Sequence, residues 1–157
     1  MNNFLIDLKY SKKYEQYFAN ILHGIWLDLN GDDNGVDIIK DGMMIDVKAY
    51  RKPKFLKHFN GVFIEYILPL SGNKGWFWDE NKNTTHYILI QDASEERIEY
   101  YKAWLISKDG LHKAIEEAEI DNTLEDKAIS SAAGVILPYQ YIDKYCDTVI
   151  GGNYEEQ

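Results

Sequence analysis

The chain has 157 residues, one cysteine and a net charge of -9 at pH 7, with 45% hydrophobic and 27% charged residues. This is the composition of one ordinary globular domain, so disordered, fibrous and disulfide-stapled classes are excluded. No stretch approaches the roughly 18 consecutive apolar residues that span a bilayer. The N-terminus also lacks a secretion signal, so we expect a cytoplasmic protein with no membrane partner.

Charge is distributed unevenly along the chain. Residues 1–94 contain 12 acidic and 11 basic residues, whereas residues 95–157 contain 14 and 6. Within the balanced part, one stretch of cations contains no acid, and we call it the basic arm: Lys48, Arg51, Lys52, Lys54 and Lys57. A short basic stretch on an acidic protein favours a small contact with nucleic acid over a large one.

Hydrophobic spacing predicts a single α/β domain over residues 1–157. The first element is a helix from Ser11, its N-cap, to about Ile25. Strands follow at 36–40 and 43–50, around an Asp41-Gly42 turn, and then at 61–68, 86–91 and 97–106. A helix at 111–118, a strand at 134–137 and a helix at 138–146, opened by Pro138, complete the order. This order predicts a central mixed β-sheet flanked by helices.

The Asp41-Gly42 turn sets the register of the predicted hairpin. A two-residue turn places Asp37 opposite Asp46, with Cβ atoms about 5 Å apart. Because side chains alternate between faces, Lys48 shares the face of Asp46. The opposite face then collects apolar residues for the core: Ile38, Ile45 and Val47. Two carboxylates and a lysine on one face suit a hard cation such as Mg2+, whose shell is completed by water and phosphate.

A solvent-exposed sheet face with a surface ion pair explains the same three residues. The apolar runs around both acids favour burial of these acids instead. A buried carboxylate without a partner is unfavourable, so buried acids require one. The basic arm follows directly after this strand, which suits a phosphate-bearing substrate.

A helix carrying Glu15, the segment Gly35-Val36-Asp37 and the strand Ile45-Asp46-Val47-Lys48 follow one another along the chain. Their order resembles the PD-(D/E)XK nuclease superfamily, which has the restriction-endonuclease-like fold with an αβββαβ core and includes Holliday-junction resolvases and small phage nucleases. Two departures from the family pattern are Val36, where proline is common, and Asp46, where glutamate is commoner.

The resemblance implies a Mg2+-dependent nuclease acting on DNA, with Mn2+ able to replace Mg2+. It implies that Asp37, Asp46, the carbonyl of Val47 and Glu15 hold the metal, and that Lys48 positions or activates the attacking water. Only two of the 17 cations are arginine, and arginine makes the commonest specific base contact. We therefore expect a structure-selective endonuclease that contacts phosphates through the basic arm, with a homodimer as one expected assembly.

A function of a different class stays open. The acidic residues 95–157 favour a non-catalytic binding module, or a DNA mimic, on a nuclease-like scaffold. Glu65 on the third predicted strand is a weaker site candidate, with an exposed charge as the alternative. Several aromatic residues could stack on bases, although packing explains them more simply: Trp76, Trp78, Tyr100, Tyr101 and Trp104.

Two other kinds of metal site, a calcium-binding loop and a zinc site, fit the sequence poorly. Asn30-x-Asp32-x-Asn34-Gly35 resembles the start of a calcium-binding loop, but Asp41 stands where the final glutamate belongs. The four histidines share no metal-binding spacing and lack cysteine partners, so a zinc site is not expected.

Overall fold

The computed structural model describes residues 3–27, 35–51, 61–67, 82–94, 97–129 and 132–152. Within these ranges the helices are α1 (Asn3–Leu22), α2 (Lys108–Ile120) and α3 (Tyr139–Tyr145). The strands are β1 (Ile25–Trp26), β2 (Ile38–Lys40), β3 (Met43–Arg51), β4 (Gly61–Ile67), β5 (His86–Ala93), β6 (Lys102–Ser107), β7 (Glu125–Ile129), β8 (Ala132–Pro138) and β9 (Thr148–Gly151). The predicted α/β class is confirmed.

Six strands form the main sheet, in the order β1-β2-β3-β5-β6-β9. Its pairs are antiparallel except for β3 and β5, which run parallel. The sheet is therefore mixed, as predicted. The short edge strands β1 and β9 were not expected from the sequence, because two to four residues carry too little periodicity to indicate a strand.

The predicted third strand, β4, lies outside the main sheet, so the prediction of one central sheet is wrong for this strand. It joins a second sheet, ordered β4-β8-β7 and antiparallel throughout. Glycine allows this pairing, because a Cβ on Gly134 would lie 2.0 Å from the backbone oxygen of Ile64. A local hydrophobic pattern indicates a strand but does not choose its neighbour.

Both faces of the main sheet are covered. Helix α1 packs on one face, where Tyr14 and Phe18 meet Ile38, Ile45 and other residues of the sheet. The second sheet, α2 and α3 pack on the other face around the fully buried Trp104. Trp104 Nε1 donates a hydrogen bond of 2.7 Å to Asp143 of α3, and its ring stacks on Tyr139.

Helix α1 begins at Asn3 and not at Ser11, so the predicted N-cap is wrong. Phe4 and Leu8 continue the apolar spacing toward the N-terminus, which keeps Ser11 inside the helix. The helix ends at Leu22 and not near Ile25. There His23 adopts a φ of 57° and Gly24 N donates to Ala19 O at 2.9 Å, which closes the helix with a left-handed cap.

Other element boundaries differ from the prediction by a few residues. β6 begins at Lys102 rather than 97, because Tyr14 Oη holds the preceding segment, accepting from Ser94 N at 2.8 Å and donating toward Glu99 O at 2.7 Å. α2 is longer than predicted and is capped by Ser107, whose Oγ accepts from Gly110 N. Pro138 is the N-cap of α3 instead of its first residue.

The predicted hairpin is confirmed. Asp41 and Gly42 both have positive φ, 48° and 81°, as a two-residue hairpin turn requires. β2 and β3 pair in the predicted register, from Lys40 opposite Met43 to Ile38 opposite Ile45. Over the part of the chain that the structure describes, no helix is both long and apolar enough to cross a membrane.

Replacing Gly134 by alanine tests the close pairing of β4 with β8. We expect a loss of about 1–3 kcal/mol in the free energy of unfolding, because the new methyl group meets backbone that must shift. Urea denaturation measures this loss in the free energy of unfolding. Gly151→Ala is the matched control, since nothing lies within 4 Å of its Cβ position, and equal stability of the two variants would contradict the pairing.

Candidate functional site

Asp37, directly before β2, lies close to Asp46 on β3, at the end of the hairpin away from the Asp41-Gly42 turn. Asp37 N donates to Ile45 O at 2.8 Å, and Val47 N donates to Asp37 Oδ2 at 2.8 Å. These two bonds turn the Asp37 carboxyl toward β3, within hydrogen-bonding reach of the Asp46 carboxyl. Asp46 is only 4% exposed. The predicted meeting of two carboxylates is therefore present, with Asp46 buried and Asp37 half-buried.

Glu15 reaches the same place from α1. Its side chain is buried, and its Oε1 accepts a hydrogen bond of 3.3 Å from Trp26 Nε1. It also lies within hydrogen-bonding reach of Asp37, and burial together with the charge of Asp46 raises its pKa. We call Glu15, Asp37 and Asp46 the carboxylate cluster.

Lys48 supplies a cation to the cluster. Its Nζ lies 3.2 Å from Asp46 Oδ2, with the lysine side chain 26% exposed and the aspartate side chain 5% exposed. Although this is an ion-pair distance, Asp46 Oδ2 accepts no hydrogen bond of good geometry from the described residues. This buried oxygen thus keeps capacity for a further electrostatic partner.

Burial and like charge together determine the protonation of the cluster. Desolvation raises the pKa of Asp37 to about 8, with the negative charges of Asp46 and Glu15 adding to the effect and the Val47 N–H opposing it. Near neutral pH the cluster therefore retains a proton that isolated carboxyl groups would release. A cation bound among these oxygens would replace that proton.

Two more titratable side chains lie near the cluster. Glu65 is on β4 in the second sheet, where burial raises its pKa and the charge of Lys48 opposes the shift. Tyr87 pairs with Asp46 across the parallel β3–β5 contact, and burial and the Asp46 charge raise its pKa. The second sheet thus contributes Glu65 to the surroundings of Lys48.

Sequence reasoning missed three residues around the cluster. Trp26 orients Glu15, Thr84 Oγ1 donates to Gly35 O at 2.9 Å, and Lys82 lies against Gly35. None belongs to a recognisable motif. The residues before β5 reach the cluster only because β5 runs parallel to β3, with Ile45 opposite His86. A prediction of that pairing is the signal that would have found Lys82 and Thr84.

Most of the basic arm is not covered by the structure. Lys52, Lys54 and Lys57 lie outside the described residues, and Arg51 is described only as the end of β3. Of the arm, only Lys48 is placed, and it lies beside Asp46. Contact between the arm and DNA stays a prediction.

The structure places some residues of the two alternative patterns, the base-stacking aromatic residues and the calcium-binding loop. Tyr100 and Trp104 are buried in the two cores, 2% and 0% exposed, so they are packing residues. Trp76 and Trp78 lie outside the described residues, as do Asn30 to Asn34 of the calcium-loop pattern. Asp41, its proposed last ligand, has a side chain that is 81% exposed in the hairpin turn.

Comparisons with family models, curated proteins and solved structures find no match to this chain. Over the described ranges, no group of three or more His, Cys, Asp or Glu side chains is arranged so that it could hold a metal ion. Mg2+ can bind with fewer protein ligands, because it keeps several waters and binds through one or two carboxylates and substrate phosphate.

The raised pKa of Asp37 predicts how stability depends on pH. Because the folded state binds this proton more tightly than the unfolded state, stability falls as pH rises from about 4 to about 8, by up to about 1.4 kcal/mol per pH unit. In Asp37→Asn, which carries no such proton, the fall is smaller. Urea denaturation with a chelator between pH 5 and 8 measures both slopes.

Asp41→Asn is the control for this measurement, because it removes an exposed carboxylate. Its slope is expected to equal that of the wild type. Parallel curves for the wild type and Asp37→Asn would show that Asp37 titrates normally, against the prediction.

Proposed function

We propose that this protein is a metal-dependent phosphodiester hydrolase that acts on DNA, as a structure-selective endonuclease with little sequence readout. The observation that supports it best is the buried carboxylate cluster beside Lys48. DNA as partner, and a homodimer as assembly, follow from the resemblance of the sequence motifs to the PD-(D/E)XK nucleases.

A divalent ion fits the chemistry of this cluster. Hard cations prefer carboxylate and carbonyl oxygens, and the buried Oδ2 of Asp46 has no hydrogen bond from the described part of the chain. Asp37 and Asp46 would hold the ion, with Glu15 and the carbonyl of Val47 as further donors. When bound, such an ion polarises a phosphoryl oxygen and lowers the pKa of water.

The protein's own residues orient these groups. The Val47 N–H fixes Asp37, and the Trp26 N–H fixes Glu15. Lys48, held beside Asp46, places a positive charge where a phosphoryl group gains negative charge during hydrolysis. Electrostatic stabilisation of this kind is effective because the donors are positioned before the reaction begins.

Two apolar side chains among the described residues are exposed on the β1–β2–β3 side of the main sheet. Met44 lies on the same face of β3 as Asp46, because side chains alternate along a strand. It is 40% exposed, and Ile25 on the edge strand β1 is 65% exposed. A polymeric substrate can therefore approach from the β1–β2 side of the main sheet.

The acidic binding module stays as the second candidate. The surface formed by the end of α2 and by β7 carries exposed acidic residues in close succession: Glu116, Glu119, Asp121, Glu125 and Asp126. Such a surface suits a basic protein partner. It makes no use of the carboxylate cluster, so metal binding separates the two candidates.

Divalent ions are expected to stabilise the wild type. A ligand that binds only the folded state adds about 2.7 kcal/mol at 100 times its Kd, so Mg2+ or Mn2+ raises Tm in thermal denaturation. Asp46→Asn is expected to lose most of this shift, and Asp41→Asn to keep it. No metal-dependent shift in the wild type would favour the binding module.

Cleavage is expected to depend on Lys48. Labelled linear duplex, single-stranded and four-way-junction DNAs, incubated with Mg2+ or Mn2+, test the activity and rank the substrates. Lys48→Ala should lower kcat by about 10²–10³-fold, the usual cost of losing one preorganised electrostatic partner. Lys113→Ala, which removes an exposed lysine paired with Asp109 on α2, is the control. Unchanged cleavage by Lys48→Ala would contradict this role.

A further inference from the structure

Lys82 lies against the carboxylate cluster, although no sequence motif includes it. Gly35 has a φ of +73°, and a Cβ on it would lie 2.7 Å from Lys82 Cδ and 3.5 Å from Asp46 Oδ2. The lysine stem and the buried carboxylate oxygen therefore both lie next to the backbone of Gly35. The ammonium group is two bonds beyond Cδ, which brings it within reach of the site.

The segment that follows Lys82 is fixed to two neighbouring segments. Thr84 Oγ1 donates to Gly35 O at 2.9 Å, which ties the segment before β5 to the segment before β2. Thr85 N donates to Met44 O at 2.9 Å, which continues the parallel contact of β5 with β3. Lys82 is thus anchored beside the start of β3, the strand that carries Asp46 and Lys48.

Glycine at position 35 is required by this arrangement. An L side chain is strained at a φ of +73°, and its Cβ would collide with the Lys82 stem and with Thr84 Oγ1 at 2.9 Å. The absent side chain leaves room for the lysine stem to lie over the backbone. Within the Gly-Val-Asp segment, Gly35 thus makes room for the Lys82 stem, which is a role separate from that of Asp37.

Lys82 would bring a further cation to a site that also has to hold a polyanion. The carboxylate cluster has three acidic groups, and Lys48 lies in ion-pair contact with one of them. A phosphodiester chain brings further negative charge, which the acids repel. Resting on the proposed function, we propose that Lys82 binds a backbone phosphate of the nucleic-acid substrate, so that Lys48 and Lys82 hold it from two sides of Asp46.

Steady-state kinetics on the DNA that the wild type cuts fastest test this assignment. A lysine that contacts phosphate equally in the ground and transition states affects KM and leaves kcat nearly unchanged. Lys82→Gln is expected to raise KM about tenfold, because the variant loses one charge-assisted hydrogen bond to phosphate. The magnitude of its slope of log(kcat/KM) against log salt should fall by about 0.7–0.9, because one fewer counterion is released on binding. Lys82→Arg is expected to keep the wild-type slope.

Two controls separate phosphate contact from simple neutralisation of the carboxylates. Lys113→Gln removes an exposed surface lysine and should change neither KM nor the salt slope. The Tm shift caused by Mn2+ should be the same in Lys82→Gln as in the wild type, since a lysine that only neutralises the cluster would alter metal affinity.

The outcomes distinguish the inference from the proposed function. One outcome is that the wild type cleaves DNA while Lys82→Gln and Lys113→Gln have the same KM and salt slope. It would overturn the role of Lys82 and leave the nuclease assignment intact. A changed Mn2+ shift with an unchanged salt slope would also overturn it, in favour of a structural lysine. Absence of cleavage on every DNA would overturn both the proposed function and the assignment of Lys82.

Discussion

Three carboxylates crowded into one buried place are the constraint around which this part of the fold is built. Burial of like charges is unfavourable, as the raised pKa of Asp37 shows. Each acid is nevertheless held by a specific group: Glu15 by Trp26, Asp37 by the Val47 N–H and Asp46 by Lys48. A cluster that lowers stability and is still so well oriented is typical of a functional site.

The scaffold makes this orientation rigid by placing β3 inside the main sheet. β2 pairs with β3 as far as Ile45, and β5 pairs with β3 on the other side, with Asp46 opposite Tyr87 and Lys48 opposite Leu89. The parallel pairing with β5 therefore fixes the positions of Asp46 and Lys48. Ile45 and Val47, which alternate with them, pack against α1. The helix that covers this apolar face also carries Glu15, so core packing and the approach of the third carboxylate depend on the same contact.

The sequence could predict the parts of the site that depend on local geometry. Asp41-Gly42 determined the hairpin register, and alternation placed Asp46 and Lys48 on one face. The positions of Lys82 and Glu65 could not be predicted in the same way. They depend on which strands pair across long stretches of chain, β5 beside β3 and β4 in the second sheet. Local hydrophobic patterns are nearly identical for the alternative pairings, so only tertiary packing selects among them.

The overall acidity of the chain is compatible with the proposed binding of a polyanion at this site. At physiological ionic strength, charges separated by more than about 8 Å are largely screened, so cations next to the scissile phosphate matter more than the net charge. In the proposed function Lys48 would be such a cation, and the stem of Lys82 lies beside Gly35, next to the same site. The acidic remainder weakens non-specific attraction along a duplex. If the protein acts on DNA as proposed, binding would depend on a phosphate geometry that fits the cluster and its lysines together, which is a physical basis for recognising the structure of DNA without reading its bases.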